Sequence, residues 1–127
     1  MSSPTVPATI VVDLKKYRIR IHRPTLHAIG DPKLIQLLVN PEKRAVAIRA
    51  VGQEAPADQV HRIVQRRLQT ENSYEIYSRA VVLKLMQIIG DVDAETYRLT
   101  GVASPDAGTA MFSLDTFQKL ESVNSNG

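Results

Sequence analysis

Two stretches of the chain show the same order of apolar and polar positions. Residues 17–22 (YRIRIH) alternate between apolar and basic side chains, which is the period of a half-buried strand. Pro24 suits the first turn of a short helix, and Gly30 suits the position just past its end. Residues 74–91 (YEIYSRAVVLKLMQIIGD) follow the same order, with a longer apolar stripe over 79–89. Both predicted helices end in Ile-Gly-Asp, which indicates an internal repeat.

The remaining apolar runs complete this repeat. Short β-branched or alternating runs predict strands at the following positions: 9–14, 34–39, 45–51, 96–102 and 109–114. Residues 59–68 (QVHRIVQRRL) fit either a helical face or a strand that is basic on one side. We prefer the strand because the second repeat needs one there.

These elements divide the chain into two units of the order β-β-α-β-β. The first repeat covers 9–51 and the second covers 59–117, with a linker at 52–58 that is rich in small residues, Gly and Pro. Residues 1–8 are expected to form a flexible arm and 118–127 a tail.

One such unit is too small to cover its own sheet. Two units related by a pseudo-twofold axis can close a shared barrel and remove exposed strand edges. The predicted fold class is therefore α+β: a small β-barrel built from two repeats that form one compact domain.

Composition narrows the function classes. The chain has 127 residues, of which 43% are apolar and 23% charged, as in an ordinary soluble domain. It contains no cysteine, which excludes disulfides and thiolate metal sites and fits a reducing compartment. We see no apolar run long enough to span a membrane and no signal-peptide pattern, so the expected location is the cytoplasm.

Charge is unevenly distributed between the two halves. Residues 1–55 carry nine Lys and Arg against four Asp and Glu, whereas residues 56–127 carry seven against nine. A basic half predicts a surface for a polyanion, with arginine able to contact both phosphates and guanine edges. The candidate nucleic-acid-binding residues are Lys15, Lys16, Arg18, Arg20, Arg23, Arg62, Arg66, Arg67 and Arg79.

The basic strand with Arg18, Ile19 and Ile21, the helix that ends at Ile29-Gly30 and the hairpin LIQLLVNPEKRAVAIRAV resemble the AbrB-like swapped-hairpin family. Two copies in one chain are similar to MraZ-type regulators. The resemblance covers about residues 9–117. It implies a barrel of interleaved hairpins, binding to double-stranded DNA and transcriptional regulation. The second copy carries Glu75 where the strand arginine of the first copy stands.

Two other functions stay open at this point. The same barrel could be a protein-interaction module of an antitoxin-like, phage-associated or assembly protein, with apolar hairpin residues in its interface: Leu37, Val46, Ile48, Met111 and Phe112. A binder of single-stranded nucleic acid would need exposed tyrosines for stacking, from among Tyr17, Tyr74 and Tyr77. The oligomeric state is open too, and a homodimer or a higher homo-oligomer is compatible with the sequence.

We find no motif for catalysis. The chain has no P-loop, no nucleophile elbow and no dinucleotide-binding glycine pattern, so we expect neither an enzyme nor a cofactor. His22 and His27 lie five residues apart across a predicted strand–helix junction, which is typical of surface histidines, and no metal site is expected.

Overall fold

The computed structural model describes residues 4–53, 60–64, 72–90 and 92–120. Within these ranges two α-helices and two short 3-10 turns, Pro105–Ala107 and Leu114–Thr116, accompany a set of strands. In chain order the strands and helices are β1 (Val6–Asp13), β2 (Arg18–His22), α1 (Arg23–Ala28), β3 (Leu34–Asn40), β4 (Ala45–Ala50), β5 (Val60–Arg62), β6 (Ser73–Tyr77), α2 (Arg79–Ile89), β7 (Thr96–Ser104), β8 (Thr109–Ser113) and β9 (Gln118–Lys119).

The described strands form one antiparallel sheet that curls into a small, nearly closed barrel. Their order is β5-β3-β4-β8-β7-β1-β2-β6, and β9 pairs with Tyr97 and Arg98 at the start of β7, which β8 does not reach. The seam lies between β5 and β6. There the hydroxyl of Tyr74 donates to the carbonyl of Arg62 and accepts the N–H of Val64, both at 3.2 Å. The side chain of Tyr74 therefore connects the edges of β5 and β6, which do not pair with each other through their backbones.

Strand alternation fills the barrel with apolar side chains. Ile19 and Ile21 on β2 point inward, as do Ile10 and Val12 on β1, because every second residue of a strand faces the same side. Phe112 on β8 is fully buried among them. The period-2 pattern of YRIRIH thus predicted the inner face of β2.

The two helices are predicted well. α2 covers Arg79–Ile89 as expected, and its stripe buries Val81, Val82 and Leu85. Gly90 has a φ of +97°, in the left-handed region that favours glycine. No helix of the described residues is long and apolar enough to cross a membrane.

The ends of the chain differ from the sequence-based expectation. β1 begins at Val6, inside the segment expected to be a flexible arm, because Val6, Pro7 and Ala8 pair with β7. Two residues of the expected tail, Gln118 and Lys119, pair with β7 as β9. Such pairings depend on a distant strand and leave little local signal.

Residues 60–62 of the ambiguous segment form strand β5, as preferred. The rest of that segment is outside the described residues except for 63 and 64. The linker at 52–58 also lies mainly outside the described residues.

Candidate nucleic-acid interface

Strand β2 places its basic side chains on the outside of the barrel. Since Ile19 and Ile21 fill the core, Arg18, Arg20 and His22 must face outward. The sequence predicted this orientation. The structure adds which groups surround these side chains, and these neighbours come from three other strands.

The turn before β2, which we call the lysine turn, carries Lys15 and Lys16. Asp13 ends β1, and its Oδ1 accepts the backbone N–H groups of Lys15 and Lys16, both at 3.0 Å. Tyr17 closes the turn with a φ of +56°. Both lysine side chains are exposed. The carboxylate therefore shapes the turn through the backbone and leaves the ammonium groups pointing into solvent.

The two arginines of β2 are partly neutralised. The guanidinium of Arg20 donates from Nε and Nη2 to Oε2 of Glu75 on β6, at 3.1 and 2.7 Å. Arg18 donates from Nη2 to Oδ2 of Asp13 at 3.1 Å, and its Nη1 lies 3.5 Å from Glu75 Oε2. These ion pairs orient the arginines and reduce the charge that they offer to a ligand.

A further arginine, which the sequence analysis did not select, joins this surface. Val11 on β1 pairs with Arg20 on one side and with Arg98 of β7 on the other. Burial lowers the pKa of His22, and the nearby charges of Arg20 and Arg98 lower it further. The alternation in TYRLTGV, with Tyr97 and Leu99 buried, was a signal that Arg98 faces outward.

We call this surface the basic face. It consists of five cationic side chains on β2, on β7 and in the turn before β2, and it includes two carboxylates, Asp13 on β1 and Glu75 on β6. Among the described residues, no carboxylate lies within ion-pair distance of three of these cations. The five cations are Lys15, Lys16, Arg18, Arg20 and Arg98.

Two more candidate residues lie at opposite ends of β2. Arg79, at the start of α2, stacks over the ring of Tyr17, with its guanidinium carbon 5.1 Å from the ring centroid. This contact holds it beside the lysine turn. Arg23, at the start of α1, is exposed, and its backbone N–H donates to the carbonyl of Asn72 at 2.7 Å.

Arg62, a candidate from the second half of the chain, does not join the basic face. Arg62 is exposed on β5, where it pairs with Leu34, and it lines a hollow of about 280 Å³ with Lys33 and Gln53. Arg66 and Arg67 lie outside the described residues. The expectation that Arg62 and Arg66 share a strand face therefore stays a prediction.

The tyrosines offer little for base stacking. Tyr74 is buried and holds the barrel seam, so it is not available. One face of Tyr17 is covered by Arg79. Tyr77, at 63% exposure, pairs with Arg18 across β2 and β6 and is the accessible one. Of the described residues, no three His, Asp or Glu side chains are grouped so that they could hold a metal ion.

Comparisons with known proteins do not assign this surface. No protein-family model, curated protein or solved structure matches the chain. The function has to be argued from the surface itself.

Proposed function

We propose that the protein binds double-stranded DNA and acts as a cytoplasmic transcriptional regulator of the AbrB-like type. The observation that carries this proposal is the gathering of five cations on one outer face. Lys15, Lys16 and Arg98 form no ion pair within the described part of the chain and are available to phosphates.

The same proposal includes the arrangement of two swapped repeats about a pseudo-twofold axis. Strand pairing supports it: β1 of the first half pairs with β7 of the second, and β5 of the second half pairs with β3 of the first. The β3–β4 and β7–β8 hairpins meet through β4 and β8. The first strand of each half thus pairs with the hairpin of the other half.

Backbone contacts would dominate the binding. The lysine turn, Arg98 and Arg79 supply charge without a rigid base-reading geometry, and phosphate contacts require no more than that. Glu75 lies among the outward side chains of β2 and β6 and repels phosphates, so the DNA backbone would lie towards the lysine turn and β7. Arg18 and Arg20 are held in fixed orientations and could add selectivity for shape or for guanine.

The first test is a fluorescence-anisotropy titration with random-sequence duplex DNA at several salt concentrations. We expect wild-type binding to weaken steeply with salt. The Lys15→Ala/Lys16→Ala variant should bind more weakly at every salt concentration. Its slope of log affinity against log salt should be shallower by up to about 2, because each lost phosphate contact removes roughly one unit.

The matched control is Lys43→Ala/Lys84→Ala. It removes the same charge from exposed positions on the β3–β4 turn and on α2. This variant should bind DNA like the wild type. Absence of wild-type binding at about 50 mM salt, where phosphate contacts are strongest, would contradict the proposal. Equal losses in the two variants would show that net charge, and not the basic face, controls binding.

The alternative function is a protein-interaction module. Four of the five apolar residues considered for its interface are buried in the core and are not available to a partner: Leu37, Val46, Ile48 and Phe112. Met111, however, is 48% exposed. A protein partner would depend on this apolar position and would tolerate salt better than DNA does.

A further inference from the structure

Five strands place apolar side chains in one line on the outside of the barrel. The strand registers pair Pro7 with Val102, Val102 with Met111, Met111 with Ala47, and Ala47 with Leu38. We call this line the apolar row. Its three large members are solvent-exposed, Met111 by 48%, Val102 by 45% and Leu38 by 38%. The outer face of a soluble barrel normally carries polar side chains, so the row is unexpected.

The relief of this surface is self-complementary. Met111 projects between two shallow hollows, one of about 340 Å³ beside Leu38 and Ala47, and one of about 420 Å³ beside Val102. A knob and hollows on the same face allow the knob of each copy to enter a hollow of the other. This is the reciprocal contact of a twofold dimer. Methionine is flexible enough to fill an irregular hollow.

Charge also favours a second copy as the occupant. Within the described part of the chain, no Lys, Arg, Asp or Glu side chain lines either hollow, and the polar groups there are hydroxyls and an amide. Two such faces can meet without burying an unpaired charge, which would be costly. Arg49, the next outward residue of β4, lies at the edge of this face and donates to the side-chain oxygen of Gln36, so it can stay at the rim of the contact.

The size of the face is sufficient for a weak dimer. Five strands spaced about 4.8 Å apart, with about three outward residues on each, cover roughly 500 Å². Two copies would bury roughly 1,000 Å² in total, which is near the lower limit for a specific interface. We propose that two copies of the chain associate reversibly through the apolar row, with Met111 as the central contact.

This inference does not rest on DNA binding. The apolar row crosses the middle of the strand order, at β4 and β8, while β2 and β6 lie at one end of it. The row and the basic face share β1 and β7 but use different parts of them, since Pro7 pairs with Val102 while Val11 pairs with Arg98, four residues away on each strand. Met111 lies on β8, which carries no residue of the basic face. A variant of the row therefore leaves the basic face intact, and failure of either proposal can be recognised separately.

The test is sedimentation equilibrium over a concentration range from about 1 µM to 1 mM, which brackets the affinity expected for an interface of this size. We expect wild-type protein to show a monomer–dimer equilibrium. Met111→Glu should raise the dissociation constant about tenfold or more, because the variant brings a charge into the centre of the contact. The matched control is Leu83→Glu, an equally simple change at an apolar residue of α2 that is 37% exposed.

Geometry can be tested separately because the chain has no cysteine. A spin label on Thr116→Cys, beside the row, should give a short distance between the copies, and a label on Lys15→Cys should give a longer one. Wild-type protein that stays monomeric at the highest concentration would overturn the proposal. An unchanged dimer in folded Met111→Glu protein, or a shorter distance from the Lys15 label, would overturn it as well.

Discussion

At the scale of single residues, Gly101 is a position where the fold leaves no room for a side chain. It faces Phe112 across β7 and β8. A Cβ atom at this position would overlap the carbonyl oxygen of Met111, which belongs to the backbone and cannot rotate away. The two strands therefore approach each other in a way that requires the absence of a side chain.

We expect Gly101→Ala to lower the free energy of unfolding by at least about 2 kcal/mol, because the strands must separate to admit the methyl group. Urea unfolding followed by circular dichroism would measure this. Thr100→Ala is the control, since its exposed side chain lies next to Gly101 on the same strand. An equal loss in both variants would show that the close approach is not the cause.

At the scale of elements, the β2–β6 pair places two arginines beside a carboxylate. Glu75 on β6 bonds to Arg20 and lies near Arg18, so one carboxylate restrains two arginines of β2. The second half of the chain thus supplies the acidic group that partly neutralises the basic strand of the first half. This pairing could not be read from either strand alone.

Glu75→Gln should therefore strengthen DNA binding. The variant removes a negative charge and releases Arg20, so the slope of log affinity against log salt should steepen by about 1. The anisotropy titration measures this directly. Glu42→Gln makes the same change on the exposed β3–β4 turn and should bind like the wild type. Weaker binding by Glu75→Gln would mean that the oriented arginine matters more than its free charge.

At the scale of the whole molecule, the two proposals together predict that one dimer can bridge two DNA duplexes. A dimer formed through the apolar row, with Met111 of β8 at its centre, would leave β2 and the turn before it outside the contact, since β2 is three strands away from β8 in the sheet order. One dimer could then hold two duplexes. We expect wild-type protein to retain a fluorescent duplex on beads that carry a second, immobilised duplex.

Met111→Glu should bind each duplex separately and fail to bridge them, while Leu83→Glu should bridge like the wild type. If Met111→Glu bridges the duplexes as well as the wild type does, bridging does not require the apolar row. The comparison uses protein concentrations above the dissociation constant found by sedimentation.

Much of the fold follows from local pattern. The alternation in YRIRIH predicted that Ile19 and Ile21 are buried and that Arg18 and Arg20 face outward, and the apolar stripe predicted both ends of α2. These predictions succeed because the period of a strand or a helix depends only on neighbouring residues.

The sequence by itself therefore determined which side of β2 faces the core, where the helices end and that basic groups gather near β2. Only the tertiary structure decided that Arg98 lies beside Arg20, that Glu75 restrains it, and that Leu38, Met111 and Val102 form one row. The physical reason is that sheet neighbours in the described strands are up to 97 residues apart, as Val6 and Ala103 are. Register between such strands is set by the packing of the whole barrel and not by either strand.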